Sequence, residues 1–578
     1  MTVVSCFRSL LTLLALPAWQ GLLCAAEPDL ILRGGKIVTV DARFSTHQAM
    51  AVEGQRIQQL GNDGEILKLK GPRTEVIDLR GRMVLPGLID SHVHPEAAMT
   101  EFDHPIPEME TIQDVLDYIK SRADTLGPGK WIEVRQVFIT RLREQRYPTR
   151  AELDRVAPDN PVSFSTGPDA SLNTLALKLS GLDRDFKVTD GGPGHIEKDA
   201  HGEPTGILRS CTRFVKSESA NKKPAEEDLY QRTLQLFKDY NSVGLTSVCD
   251  RDADPSAIAR YQKMLANGDL TVRVSISHSI GTIGPLEDIQ AKIREVARHP
   301  LREDHPLLRI IGIKPYLDGG MLTGSAYMRE PWGVSDIYAI TDPDYRGVLF
   351  IPKERLLPIV QTTVESGLQF TAHSVGDGAV HTLLDVYEEI NRQTPIRKTR
   401  PCITHANFQS REAVEKLAQL GVGVDIQPAW LYLDTRTLVK QFGYERLRYF
   451  QPLRSIFAAG GIAGGGSDHM QKIGARRAIN PYDPFLAMWV AVTRQARWYD
   501  GALHPEEALT REQVIRFYTA NNAYLLFRDH QVGSLEPGKF ADFLVLDTDL
   551  LTCPVDKIKT TQVLRTYFNG KLVYRQPQ

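Results

Sequence analysis

The sequence predicts an α/β chain: a TIM (β/α)8 barrel with a large insertion after strand 1, plus a small β-sandwich formed by the N- and C-terminal segments. Three observations predict it. Eight short apolar runs in the middle of the chain alternate with helical patterns, which points to parallel strands joined by helical crossovers. Most of those runs end in a polar or ionisable cluster, and barrel active sites are built at strand C-termini. The two ends of the chain share a different character, short β-rich runs broken by turn residues.

Taken in order, residues 1–26 carry Arg8, an apolar run over 10–16, Pro17, Trp19 and the small-residue end Cys24-Ala25-Ala26. This is the pattern of a secretory signal peptide, and its apolar run is too short to span a bilayer. An uncleaved anchor is the alternative, and Cys24 faintly resembles a lipoprotein attachment site, although Leu23 stands where a small residue is usual. The mature chain is therefore expected to be exported, periplasmic or secreted, without a membrane span, and to keep Cys211, Cys249, Cys402 and Cys553.

Residues 27–85 hold "LILRGGKIVTVD", "AMAVEGQRIQQLG" and nearly all of "RTEVIDLRGRMVLPG", which ends at Gly87. Residues 529–578 answer with "GSLEPGKFADFLVLDTD" and with "VLRTYFNGKLVYR", a hairpin that turns at Asn569-Gly570. The two segments together suit one composite sandwich; two unrelated β-decorations are the alternative.

Between them lie the strand candidates "MVLPGLIDSHVH", "GLTSVCD", "VRVSISH", "RIIGIKPYLDGG", "LQFTAHS", "PCITHAN", "GVGVDIQP" and "GIAGGGSD", within a barrel expected over 86–528. His373 and His405 are 32 residues apart and His405 and Asp468 are 63 apart, one βα unit and then two. The gap of 154 from His94 to Val248 is badly too long, so an inserted lobe is expected over about 96–235, above the barrel mouth.

Composition sets outer limits. The 578 residues leave room for several domains, and 42% hydrophobic with 24% charged is ordinary globular content. The 69 basic and 71 acidic side chains leave a formal charge of −2, which gives no electrostatic footprint for nucleic acid or an acidic membrane and no signature of disorder. Six scattered cysteines without a CxxC pair do not make a disulfide scaffold.

In "DSHVHP", Asp90, His92 and His94 share one face of a strand, an arrangement costly to bury unless something uses the charge and lone pairs. Two neutral imidazoles holding a divalent metal is the economical answer, although two histidines on a half-exposed strand are common. Strand parity also turns His373, His405 and Asp468 inward, so four histidines and an aspartate converge on one mouth. Lys314 follows the apolar "RIIGI", where desolvation favours a neutral amine that can take up carbon dioxide as a carbamate. A salt bridge from Lys314 to Asp318 is the alternative.

At this point the chain resembles the amidohydrolase superfamily, specifically amidohydrolase family 3, the YtcJ-like group, over nearly all its mature length. The residues that carry the resemblance are "VLPGLIDSHVHP", "GEPTGIL", "GIKPYLDGG", "HSVGDGAV", "THAN", "GGSD", "NPYDPFLAMWVAVTR" and "GSLEPGKFADFLVLD", in this order. The resemblance implies that His92, His94 and Asp468 hold one divalent ion and His373 and His405 a second, with carboxylated Lys314 between them. Some positions depart from it. "GPDASLN" places Asp169 where relatives often have a histidine; strand two ends Cys249-Asp250-Arg251 rather than His-Asp; Thr404 replaces a glutamate; and "GSDHM" replaces GSDAP. None of these is a proposed ligand, so they bear on the substrate.

The implied reaction is hydrolysis of a C–N bond in an amide, N-acyl, N-formyl or cyclic amide substrate through a metal-activated hydroxide, with Asp468 as general base. Zinc comes first because histidine dominates the ligands, with manganese, iron or cobalt also admitted, as one or two ions. The candidate substrate contacts are Asp169, Tyr316, Asp318 and His469, with Asp250, Arg251 and Gln427 behind them. An aminohydrolase or an esterase on the same centre remains open, as does a non-catalytic barrel scaffold. The expected partner is a small molecule, with a homodimer left open.

Overall fold

The computed structural model describes residues 27–135, 137–165 and 169–577; the segment read as a signal peptide, 1–26, lies outside them. Eight parallel strand positions organise the middle of the chain. They are β1 (Leu88–Val93), β2 (Leu245–Ala253), β3 (Arg273–Ser279) and β4 (Leu308–Lys314), then β5 in two pieces (Gln369–Phe370 and His373–Ser374), β6 (Cys402–His405), β7 (Gly423–Ile426) and β8 (Ile462–Gly465). β-Branched and apolar residues fill these runs, and nearly every position is buried, as expected of parallel strands covered on both faces.

The strands form two half-barrel sheets. One joins β1, β2, β3, β4 and the first piece of β5; the other joins the second piece of β5 with β6, β7 and β8. Around the break in β5, the amides of Thr371 and His373 donate to the carbonyls of Ile313 (3.2 Å) and Pro315 (3.0 Å). At the other seam the chain continues past β8, where the amide of Asp468 donates to His92 and that of His94 to His469, each at 2.8 Å. Two glycines make these approaches feasible. A Cβ on Gly312 would lie 2.1 Å from the Gln369 carbonyl oxygen, and one on Gly466 would lie 2.8 Å from the Cβ of His92.

The crossovers are helical, and local sequence sets their limits. Pro255–Asn267 begins at Asp254, whose side chain accepts from the amide of Ala257, has proline in its first turn, and ends at Gly268 with φ +75°. The fourth strand candidate stops earlier than "RIIGIKPYLDGG" suggests, because Pro315 has no N–H for the ladder. Residues 315–352 then run without helix or ladder strand to the helix Lys353–Glu365, a second long excursion beside the anticipated one. Its glycines and prolines, from Gly319-Gly320 to Gly347, explain the irregular path.

After β1 the chain builds a sheet of its own in the order His195–Lys198, Pro204–Arg209, Ala170–Leu172, Val162–Ser165, Ile132–Val134. The helices Ile112–Leu126, Arg150–Val156 and Thr174–Ser180 accompany it, each begun by a Thr or Asn cap. Both chain ends meet in sheet pairing: Met83–Pro86 runs antiparallel to Phe543–Leu546, with Val84 opposite Val545. Leu30, Leu32, Met50 and Val52 from a four-stranded sheet pack with Ile37, Val84, Phe543 and Tyr567 from this six-stranded one. Among the described residues no helix is long and apolar enough to cross a membrane.

Candidate metal centre

His92 stands on β1 and His94 one residue beyond it, two residues apart, so both rings reach the C-terminal mouth. Their Nε2 atoms are 3.1 Å apart and lie 3.3 Å and 3.1 Å, respectively, from Asp468 Oδ1. In a tetrahedral zinc site with bonds near 2.0–2.2 Å, neighbouring ligand atoms are about 3.3–3.6 Å apart. Two imidazole nitrogens and one carboxylate oxygen at this spacing therefore fit a divalent ion, and the three residues form a group able to hold one.

The surroundings prepare these groups. His92 Nδ1 donates to Asp425 Oδ1 (3.1 Å), which leaves Nε2 bare. Asn480 donates to Asp468 Oδ2 (3.2 Å) and to its carbonyl (2.7 Å), which turns Oδ1 toward the histidines. The carboxylate of Asp90 latches β1 to the end of β8, with one oxygen accepting from the amides of His92 and Ser467 at 3.0 Å, and burial pushes its carboxyl up to about 7. Asp468 (φ +54°) and His405 (φ +73°) both hold left-handed backbone conformations, a strain typical of functional positions.

His373 and His405 sit beside the first pair, with ring centroids 4.5 Å apart and His405 4.9 Å from His92. His405 stacks on Trp430 at 4.7 Å and donates from Nδ1 to Gln427 Oε1 at 2.8 Å, which leaves its Nε2 bare. His373 donates from Nε2 to the Gly319 carbonyl at 3.3 Å, which leaves its Nδ1 bare. Burial, and then neighbouring positive groups, hold His92 and His405 well below the usual imidazole range and His373 at about 3, so all three are neutral donors at physiological pH. Burial works against a charge on His94 too, but Asp468 outweighs it and lifts that ring to about 9.

Lys314 is buried at the end of β4, with its Nζ 4.2 Å above the Tyr316 ring. The salt bridge to Asp318 does not form, because Asp318 accepts instead from the amides of Val375, Gly376 and Tyr327 at 2.8–3.0 Å. Among the described residues no carboxylate lies within 4 Å of the lysine amine. The centre floors a cavity of about 630 Å³, walled by Phe138, Ile280, Ile283, Met321, Leu322, Phe350 and Trp430.

Of the four expected substrate contacts, only Tyr316 is exposed to this cavity, and its hydroxyl donates to Asp252 at 2.8 Å. Asp169 is fully buried and holds Thr323, Ser325 (2.5 Å) and the amide of Ser210 (2.8 Å), which ties the sheet-forming segment after β1 to the 315–352 excursion. Asp318 reaches the cavity wall, but its oxygens are occupied by the three amides. His469 is buried away from the cavity, with Nδ1 on the Tyr240 hydroxyl (2.8 Å) and Nε2 on the Lys472 carbonyl (3.0 Å). Arg251 and Gln427 lie beneath the centre rather than facing a ligand, and Asp250 accepts from Tyr261 at 2.8 Å. Sequence reasoning missed Asp425, an acid alone in an apolar strand, and Asn480, which opens the "NPYDP" motif.

Residues 75–574 match the model of the amidohydrolase family. The chain belongs to this family. It is 31% identical over 563 residues to the N-substituted formamide deformylase of Arthrobacter pascens, covering 95% of this chain and 98% of that protein. It is 25% identical over 561 residues to the putative amidohydrolase YtcJ of Bacillus subtilis (strain 168), covering 94% and 99%. An uncharacterized metal-dependent hydrolase from Pyrococcus furiosus shares the fold, with a TM-score of 0.62 at 22% identity over 90% of this chain and 100% of that one. As a member of the amidohydrolase family, the chain is a hydrolase that acts on carbon–nitrogen bonds.

Proposed function

We propose that this amidohydrolase cleaves the C–N bond of an amide, N-acyl or N-formyl amine, or cyclic amide held in the cavity above His92, His94 and Asp468. The observation that carries the reading is the triangle of two imidazole Nε2 atoms and one carboxylate oxygen, of which His94 and Asp468 line the cavity floor. The relative whose name records deformylation of N-substituted formamides supports the substrate class. We read His373, His405 and Lys314 as residues that would hold a second ion, with a carbamate on Lys314 supplying the anionic oxygen. The imidazole majority favours zinc, while the carboxylates admit manganese, iron or cobalt.

A divalent ion, when bound, supplies Lewis acidity and lowers the pKa of water. The chain's own residues do the rest. Asp468 takes a proton from the attacking water at its carboxylate and returns it to the leaving nitrogen, so one group serves as base and then as acid. Asn480 keeps that carboxylate aimed at the histidines, and the apolar walls keep other water from the reacting carbonyl. The wider frame belongs to the same reading: one closed (β/α)8 barrel made from the two half-sheets, a lobe over about 96–235, a sandwich composed of 27–85 and 529–578, and export directed by 1–26.

The test is a product-resolved assay of purified, zinc-loaded chain with N-formyl, N-acetyl and cyclic amides, an ester and an amino-substituted heterocycle. Amine and carboxylate from an amide, or ring-opened product from a cyclic one, are the expected result. Ammonia from the heterocycle alone would establish an aminohydrolase, and turnover of the ester alone an esterase. Recovery of activity on refolding should depend on bicarbonate; recovery without it removes the carbamate from the account.

A further inference from the structure

Asp425 lies within β7 beneath the centre and has no solvent exposure. Its Oδ1 accepts from His92 Nδ1 (3.1 Å), from Gln427 Nε2 (3.1 Å) and, more weakly, from the His405 amide (3.4 Å). Its Oδ2 accepts from the Thr404 hydroxyl (3.2 Å) and lies 3.3 Å from Arg251 Nε. Arg251, the strand-two departure from the family pattern, is itself clamped by the Ser91 carbonyl, Ser277 and Gln369, so it balances a buried carboxylate without reaching the cavity.

These contacts have a directional consequence. A carboxylate accepts only, and of the two carboxylates beside His92 only Asp425 is hydrogen-bonded to it, at 3.1 Å, while Asp468 lies 3.3 Å from Nε2 without a hydrogen bond, so the proton on His92 is drawn to Nδ1. The same oxygen takes the amide NH2 of Gln427, which fixes the orientation of that amide. Gln427 therefore presents its Oε1 to His405 Nδ1, at 2.8 Å, and the proton of His405 must also sit on Nδ1. One carboxylate on β7 thus dictates which nitrogen is bare on histidines from β1 and from β6, which belong to the two halves of the centre.

We propose that Asp425 is a positioning residue that sets the tautomers of both His92 and His405, the second through Gln427, and so prepares two ion-binding positions at once. The proposal rests on the reading of these histidines as ligands, but the tautomers can be read with no ion or substrate present.

The test uses full-length chain labelled with ¹⁵N-histidine and stripped of metal by a chelator. In wild type, the imidazole ¹⁵N shifts of His92 and His405, assigned with His→Gln variants, should both report a proton on Nδ1. Gln427→Met should release the His405 tautomer alone. Asp425→Asn should release both and weaken Zn²⁺ binding by about 10–100-fold, the usual effect of losing such a partner. A proton on Nε2 of either ring in wild type overturns the proposal, as does Gln427→Met with an unchanged His405 signal. Asp425→Asn leaves Arg251 without its carboxylate; should that variant not fold, the wild-type and Gln427→Met spectra still decide. Wild type with the expected tautomers but no Zn²⁺ binding would instead sink the functional reading and leave the positioning role standing.

Discussion

Asp468 meets two demands with one carboxyl group. Oδ1 faces the two imidazoles, Oδ2 is steadied by Asn480, and the residue holds a left-handed backbone conformation just past β8, where the chain pairs with the end of β1. If this group moves the proton, Asp468→Asn should lower kcat by about 10²–10⁴-fold while KM changes far less. Steady-state kinetics checks this, and a loss confined to KM would contradict it. That the four histidines would meet at one mouth was legible because spacing and strand parity are properties of sequence. Asp425 was not: an acid within "GVGVDIQP" announces neither its parity partner nor the imidazole it will meet from a strand more than three hundred residues away. Asp169 and His469 were misjudged for a related reason. Their polarity was visible, but not that Thr323, Ser325 and the Tyr240 hydroxyl would use it.

The helix Arg150–Val156 shows how an element of the segment after β1 is held. Thr149 and Glu152 cap it reciprocally, and Arg146 pairs with Glu152 through two contacts of 2.7 Å. The hydrogen bond from Arg146, against some burial, brings the Glu152 carboxyl down to about 2. Because its folded pKa is depressed, the stabilisation is present above about 4.5 and is lost as pH falls toward about 2. Glu152→Gln should therefore cost less than about 1 kcal/mol at neutral pH, since the pair is partly exposed, and its melting curve should converge with wild type in acid. A constant gap at every pH would contradict that. Such caps are readable in sequence from their Thr-x-x-Glu spacing. The excursion over 315–352 was not, because its glycines and prolines say that the chain turns but not what it packs against. The Asp169 cluster supplies that answer only in three dimensions.

Across the whole molecule, the sheets from the chain ends are tied to the half-barrel beside them by a buried ion pair. Arg273 on β3 grips Asp542 through contacts of 2.7 Å and 2.9 Å, and its guanidinium lies 4.1 Å from the Phe540 ring centroid. Asp542→Ala leaves that buried charge unpaired, so a loss of about 3–5 kcal/mol is expected in denaturant unfolding. A midpoint matching wild type would show that the two parts do not depend on each other through this contact. The alternation of strands and helices made the α/β architecture readable from sequence, whereas the pairing of Val84 with Val545 depends on contacts between residues at opposite ends of the chain. The central claim concerns the site that this architecture assembles: an ion held by His92, His94 and Asp468 is required for C–N cleavage. Its most direct measurement is a Zn²⁺ titration of chelator-stripped wild type and His92→Ala, with amine release from an N-formyl amine and bound zinc followed together. The account predicts that turnover in wild type rises in step with bound zinc and stays absent in the variant. Amine release from wild type that holds no divalent ion, or full turnover by His92→Ala, would contradict it.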